Sequence, residues 1–180
     1  MRKLQIGVMG SAADLDYDES TRKTAEEIGK YIAKEGAVLV FGAEKDCDSL
    51  STAACRGAKA AGGVTVGVTY GKGKEVWEEE FADIIIASGL ERGGGRETTL
   101  VLSCDAIIAI AGGSGTLTEM AIAYQAGIPV VAMVGLGGWS EKLAGTYIDG
   151  RNRQIAHVAK TAREAVTIAL REATARAGLT

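Results

Sequence analysis

The chain has 180 residues, 20 Lys plus Arg against 23 Asp plus Glu, a net charge of −3, and 47% hydrophobic residues. That balance argues against disorder and leaves no global field to attract a nucleic acid. The longest apolar runs, such as 106–111, fall far short of the roughly 18 residues that span a bilayer, and no basic-then-apolar signal segment opens the chain, so a cytoplasmic protein without membrane contact is expected.

In chain order, a short apolar strand is expected at 4–9, a helix at 21–35, a strand at 37–41 and a helix at 49–61. Strands follow at 64–68 and 84–87, then a helix at 97–103, a strand at 106–110, a helix at 116–126, strands at 130–134 and 155–158, and a final helix at 162–177. In the first helix Ala25, Ile28 and Ile32 recur three and four residues apart, which places them on one face. The strands are continuously apolar instead of alternating, as burial on both faces of a parallel sheet requires. Strand and helix alternation with such strands predicts one α/β domain over residues 1–180, doubly wound, with a mainly parallel sheet of about seven strands and helices on both faces. Gly36, Gly62–Gly63 and Gly127 each end a predicted helix. No repeat, low-complexity tract or Pro-rich linker divides the chain, and 135–138 is the one other glycine-rich stretch of note.

In such a sheet ligands bind beyond the carboxyl ends of the strands, where strand order reverses. The residues found there are Gly10 and Ser11 after the first strand, Gly42 after the second, and Ala111-Gly112-Gly113-Ser114-Gly115-Thr116 before a helix. Glycines admit backbone N–H groups close to a ligand, and a helix start adds free donors and a positive dipole end, so Gly112, Gly113, Ser114, Gly115 and Thr116 suit a phosphate. The structural alternative is a tight turn with Thr116 as helix cap. Neither GxGxxG nor GxxxxGK[ST] occurs. A second anion-friendly element, Gly93-Gly94-Gly95-Arg96, also precedes a predicted helix, with Gly95 at the ligand and Arg96 offering a rigid fork of donors. Glu119, three residues after Thr116, shares its helical face and points toward the mouth of the loop, unless it serves as a reciprocal cap.

These residues, Arg96 and the run Ala111-Gly112-Gly113-Ser114-Gly115-Thr116-Leu117-Thr118-Glu119, resemble the PGGxGTxxE signature and upstream arginine of the LOG-like family. That family includes cytokinin-activating phosphoribohydrolases and molybdenum cofactor carrier proteins. The resemblance implies a Rossmann-like sheet, a phosphate held by Gly112–Thr116, and Arg96 with Glu119 in the catalytic positions of the hydrolases. It departs at Ala111, which stands in place of the signature proline, at Thr118, where hydrolases carry a first glutamate, and at Gly94-Gly95-Arg96-Glu97, which replaces a Met-His-x-Arg-Lys segment. A GGGxxGLMG-like turn of the hydrolases is here Gly42-Ala43-Glu44-Lys45-Asp46-Cys47-Asp48-Ser49-Leu50, acidic and unfavourable to a phosphate unless it meets a ribose hydroxyl, a base edge or a metal. These changes are closer to the carrier-like and uncharacterised branch. The resemblance also implies a homodimer or larger homo-oligomer, for which helices 49–61 and 97–103 offer apolar faces.

Other candidates carry less. His157 reads as a packed or edge residue of the last strand, and Cys47, Cys55 and Cys104 form no CxxC pair, so neither a disulfide framework nor a zinc site is encoded. Asp14, Asp16 and Asp18 lack the glycine and closing glutamate of a calcium loop, so no metal site is expected. None of Lys45, Lys59, Lys72 or Lys142 stands in a context for a pyridoxal Schiff base, so lysine decarboxylation is not expected. Trp139 covers a ligand or packs under the last helix. Two functions remain: hydrolysis of the N-glycosidic bond of a nucleoside 5′-monophosphate, with no cofactor required, or non-enzymatic carriage of a nucleotide or of the molybdenum cofactor as cargo.

Overall fold

A computed structural model describes residues 2–12, 15–93 and 95–178; Asp14 and Gly94, named above, lie outside the described residues. Seven strands, β1 (Gln5–Gly10), β2 (Val38–Gly42), β3 (Val64–Thr69), β4 (Ile84–Ala87), β5 (Ala106–Ile110), β6 (Val130–Met133) and β7 (His157–Ala159), form one sheet in the order β4-β3-β2-β1-β5-β6-β7. Every pairing between them is parallel, so the mainly parallel sheet expected from sequence is wholly so. From β1 the chain winds outward through β2 to β4, then returns to the other side of β1 as β5, which sets the reversal of strand order between β1 and β5.

Helices α1 (Glu19–Lys34), α2 (Leu50–Ala60) and α6 (Ala162–Arg176) cover one face; α3 (Arg96–Leu102), α4 (Ser114–Ala126) and α5 (Gly138–Leu143) cover the other. The expected stripe of Ala25, Ile28 and Ile32 is buried on the first face, and Leu100, Val101, Met120 and Ala123 fill the second. Burial on both sides accounts for the unbroken apolar run of β5, whose five residues are all buried. Asp18 and Ser49 cap α1 and α2 by accepting the N–H groups of Thr21 at 2.7 Å and Thr52 at 3.0 Å. Gly36, Gly62 and Gly127 take positive φ after their helices, as expected, whereas Gly63 does not.

Three expectations are corrected. Helix α5 starts inside the stretch read as flexible, because three glycines in four residues hide a short helix from any periodic pattern. The last strand begins at His157, since Ile155 instead forms an isolated antiparallel bridge with Tyr147. Helix α2 offers no free apolar face, its leucine, cysteine and most of its alanines being buried against α1 and the sheet. An uncovered apolar face does exist at the sheet edge. Ile84 and Ile86 are in register with Val66 and Val68 and so lie on the α3 side, but the two-turn α3 reaches only β2 and β3. Ile84 and Ile86 stay exposed, as does Leu102 of α3.

Candidate functional site

Gly10 is in register with Ile110, so the loops leaving β1 and β5 emerge side by side at the point where strand order reverses. The buried Ser11 ties them together: its Oγ accepts the Gly112 N–H at 3.0 Å, and its carbonyl accepts the Leu50 N–H at 2.9 Å. Gly112 has φ +92°, and a Cβ there would collide with the Thr116 side chain. Ala111 also lies in the left-handed region, at φ +49°. Proline is fixed near −65°, so alanine in place of the signature proline is what this backbone admits. The carbonyls of Ala111 and Gly112 accept the N–H groups of Ser140 at 2.9 Å and Trp139 at 3.0 Å. Helix α5 thus braces the loop from behind, and Trp139 belongs to that brace, with Lys142 over its ring; it is not among the residues that line the cleft onto which the loop opens.

Helix α4 begins at Ser114 with Gly113 as its cap, a residue with no side chain to accept an amide. Thr116 is therefore not the cap, and among the described residues no hydrogen bond joins it to Glu119, so the reciprocal-cap alternative is not realised. The first-turn N–H groups of α4 have no protein partner among the described residues. They form an uncapped, positively polarised helix start.

This turn opens on a cleft of about 170 Å³. Of the residues expected from sequence, Gly10, Ser11, Gly42, Arg96, Gly113, Ser114, Gly115, Thr116 and Glu119 line it. Gly95 and Gly112 do not. Gly95, at φ +121°, is the N-cap of α3, and Gly112 is turned into the β1–β5 tie, so both shape loops from behind the cleft. Glu44 and Ser49, from the acidic turn weighed in the sequence, and Glu97, beside Arg96, line it as well; Ala12, Leu15, Ser51 and Arg92 are lining residues that the sequence reading passed over.

Arg96 is buried, its side chain 5% exposed. Its Nη2 donates to Glu44 Oε1 at 3.0 Å, and its Nε lies 3.8 Å from Glu97 Oε1, too far for a hydrogen bond. Nε and Nη1 are buried without an acceptor among the described residues. The guanidinium fits because residue 42 is glycine; a Cβ there would collide with Nη1. Arg92, at the rim, holds the second oxygen of Glu44, and both arginines stand near the Tyr70 ring, at 5.3 Å and 5.9 Å from its centre. The acidic turn is thereby neutralised from within the chain: Glu44 by two arginines, Asp48 by Arg56 at 3.0 Å, while Asp46 accepts the Tyr70 hydroxyl at 3.1 Å. Glu119 is buried across from them. Desolvation pushes its carboxyl up to about 8, with Arg96 opposing and the carboxylates of Glu97 and Glu44 adding to the rise. Burial thus favours the protonated form of Glu119, which shares the cleft with the Arg96 guanidinium.

The remaining candidates lie elsewhere. His157, half-buried on edge strand β7, is 3.9 Å from Glu172. The Cys55 thiol is pushed up to about 12 by burial, and burial raises Cys104 as well, so neither is an activated nucleophile. Lys45 and Lys72 line a separate hollow beside Tyr70, and Asp18 is spent on capping α1. Among the described residues no group of three or more His, Cys, Asp or Glu side chains is arranged to hold a metal, and no helix is long and apolar enough to cross a membrane.

Fold and topology define a Rossmann-like α/β protein with a cleft at the topological switch point of its sheet. Residues 3–167 match the SLOG cluster4 family, and the chain belongs to this LOG-like family. An uncharacterised protein of Archaeoglobus fulgidus is 37% identical over 133 residues, 74% of this chain and 82% of that protein. The molybdenum cofactor carrier protein of Chlamydomonas reinhardtii is similar in structure, with a TM-score of 0.79 and 33% identity over 95% of this chain and 98% of that one. The molybdenum cofactor binding protein of the phototrophic bacterium Rippkaea orientalis follows at a TM-score of 0.78 and 29% identity, covering 100% and 99% of the two chains.

Proposed function

We propose that the cleft binds a small phosphate ester and that the protein carries it as the similar carrier proteins carry the molybdenum cofactor. The observation that carries this reading is the uncapped first turn of α4, where Ser114, Gly115 and Thr116 line the cleft and a Cβ on Gly115 would meet nothing, while the Leu15 side chain lies against Gly113. A phosphate monoester supplies the acceptors and the negative charge that this turn lacks. Cargo of this kind is the molybdenum cofactor or a nucleotide, and no resident cofactor is needed to hold it. The test is direct. The protein purified from cells that make the molybdenum cofactor should contain the pterin, read by fluorescence after release, and Gly115→Leu should empty it. Pterin-free wild type that also gains no thermal stability from any nucleoside monophosphate would refute the reading.

A second reading, hydrolysis of the N-glycosidic bond of a nucleoside 5′-monophosphate, is favoured by the state of Glu119. Cleavage passes through an oxocarbenium-like ribose with the base departing, and a carboxyl still protonated near pH 8 can give the base its proton. Arg96 would orient the sugar phosphate against it. Incubation with a panel of nucleoside monophosphates separates the readings: a hydrolase releases free base and loses this on Glu119→Gln, by roughly a hundred- to ten-thousand-fold. A carrier returns every ligand intact, and Glu119→Gln changes affinity by about tenfold at most.

A further inference from the structure

The acidic residue at the mouth of β2 has no counterpart in the glycine-rich turn that the hydrolases carry there, and its surroundings give it a task. Glu44 is buried, and its backbone is pinned because Ala43 N–H donates to the Val68 carbonyl at 3.1 Å and the Glu44 carbonyl accepts Trp77 N–H at 2.7 Å. Its carboxylate is divided between two cations, one oxygen on Arg96 Nη2 and the other on Arg92. Glu44 therefore cancels one of the two positive charges that enter the cleft, and Glu97, a further buried carboxylate on the Arg96 side, cancels the other. The cleft has two poles: a positive helix start at Ser114–Thr116, and opposite it a wall whose charges cancel. Arg96 Nε and Nη1 are buried with no acceptor among the described residues, so the wall carries polar groups but no net charge.

We propose that Glu44 is a specificity-determining residue, a built-in counter-anion for Arg92 and Arg96 that admits ligands with one phosphate and rejects those with a second anionic group next to it. Without Glu44 the wall of Arg92, Arg96 and Glu97 would carry a net positive charge, with two guanidinium forks open to a second phosphate. With Glu44 in place, a second phosphate must either displace a buried carboxylate or lie beside it, and like charges a few ångströms apart in a partly desolvated cleft oppose each other strongly. The proposal rests on the phosphate reading of the α4 start.

Titration with orthophosphate and pyrophosphate, followed by thermal shift and by phosphorus resonance, tests it. Wild type should bind pyrophosphate no more tightly than orthophosphate. Glu44→Gln keeps an oxygen for Arg96 and removes one negative charge, so it should tighten pyrophosphate by about tenfold or more and leave orthophosphate within roughly threefold. Arg92→Gln guards against misfolding of the first variant, since Arg92 sits at the rim with its side chain 53% exposed. It leaves Glu44 less neutralised and should weaken pyrophosphate several-fold more than orthophosphate. An unchanged preference in both variants overturns the role of Glu44, provided that orthophosphate binding to wild type is lost in Gly115→Leu. Orthophosphate binding that survives Gly115→Leu, or is absent from wild type, strikes instead at the phosphate reading, and the proposal then falls with it.

Discussion

Burial holds the Glu119 carboxyl up to about 8, whereas in the unfolded chain it titrates near 4.5. Between those values the folded protein binds one more proton than the unfolded one. The stability associated with Glu119 is thus fully present below the unfolded value and is lost as pH rises through the folded value, at up to about 1.4 kcal/mol per pH unit. Glu119→Gln removes this titration. Its melting temperature, measured without ligand, should fall less steeply than that of wild type from about pH 5 to pH 8 and exceed it above that range. Parallel curves would mean that Glu119 is ionised throughout, and with it the acid role would go.

Among the elements, the start of α4 and its brace α5 determine the cleft. A Cβ on Gly115 meets nothing, so Gly115→Leu projects a side chain into the space over the free amides. Because leucine is the better helix former by roughly 0.5–1 kcal/mol, the variant should keep its fold and its urea midpoint while ligand-induced stabilisation disappears. Ala111 marks the other end of the loop. Its φ of +49° and its carbonyl bond to Ser140 make Ala111→Pro incompatible with the native turn, at a cost of about 3 kcal/mol or more, visible as a lowered urea midpoint. Glycine relieves the strain, so Ala111→Gly should stay within about 1 kcal/mol of wild type.

At the scale of the whole molecule, the unusual feature is a parallel sheet left open on one side of its edge strand. Parallel sheets are ordinarily covered on both faces. Here Leu102 is 58% exposed and Ile84 50%, and a second copy of the chain, as expected from the LOG-like resemblance, would cover them. Light scattering should give about twice 18.6 kDa, and Leu102→Arg should shift the mass toward that of one chain. A wild-type monomer at micromolar concentration would reject this assembly.

The amino-acid sequence by itself determined the parallel sheet, the alternation of its strands with helices and the glycine-rich turn that opens α4. Those features rest on local signals: unbroken apolar strands such as 106–110, helical spacing such as Ala25, Ile28 and Ile32, and glycines whose freedom is legible one residue at a time. It also brought Arg96 and Glu119 into view, because their spacing from the loop resembles a known signature. Only the tertiary structure decided what surrounds them. Glu44 lies 52 residues from Arg96 along the chain, and β2 must lie beside β1 before the two can meet over Gly42. Neither the neutralised acidic turn, nor the brace of Ser140 and Trp139 on Ala111 and Gly112, nor the protonated state of Glu119 leaves a mark in a local pattern. Each depends on desolvation and on partners that only folding brings within a few ångströms.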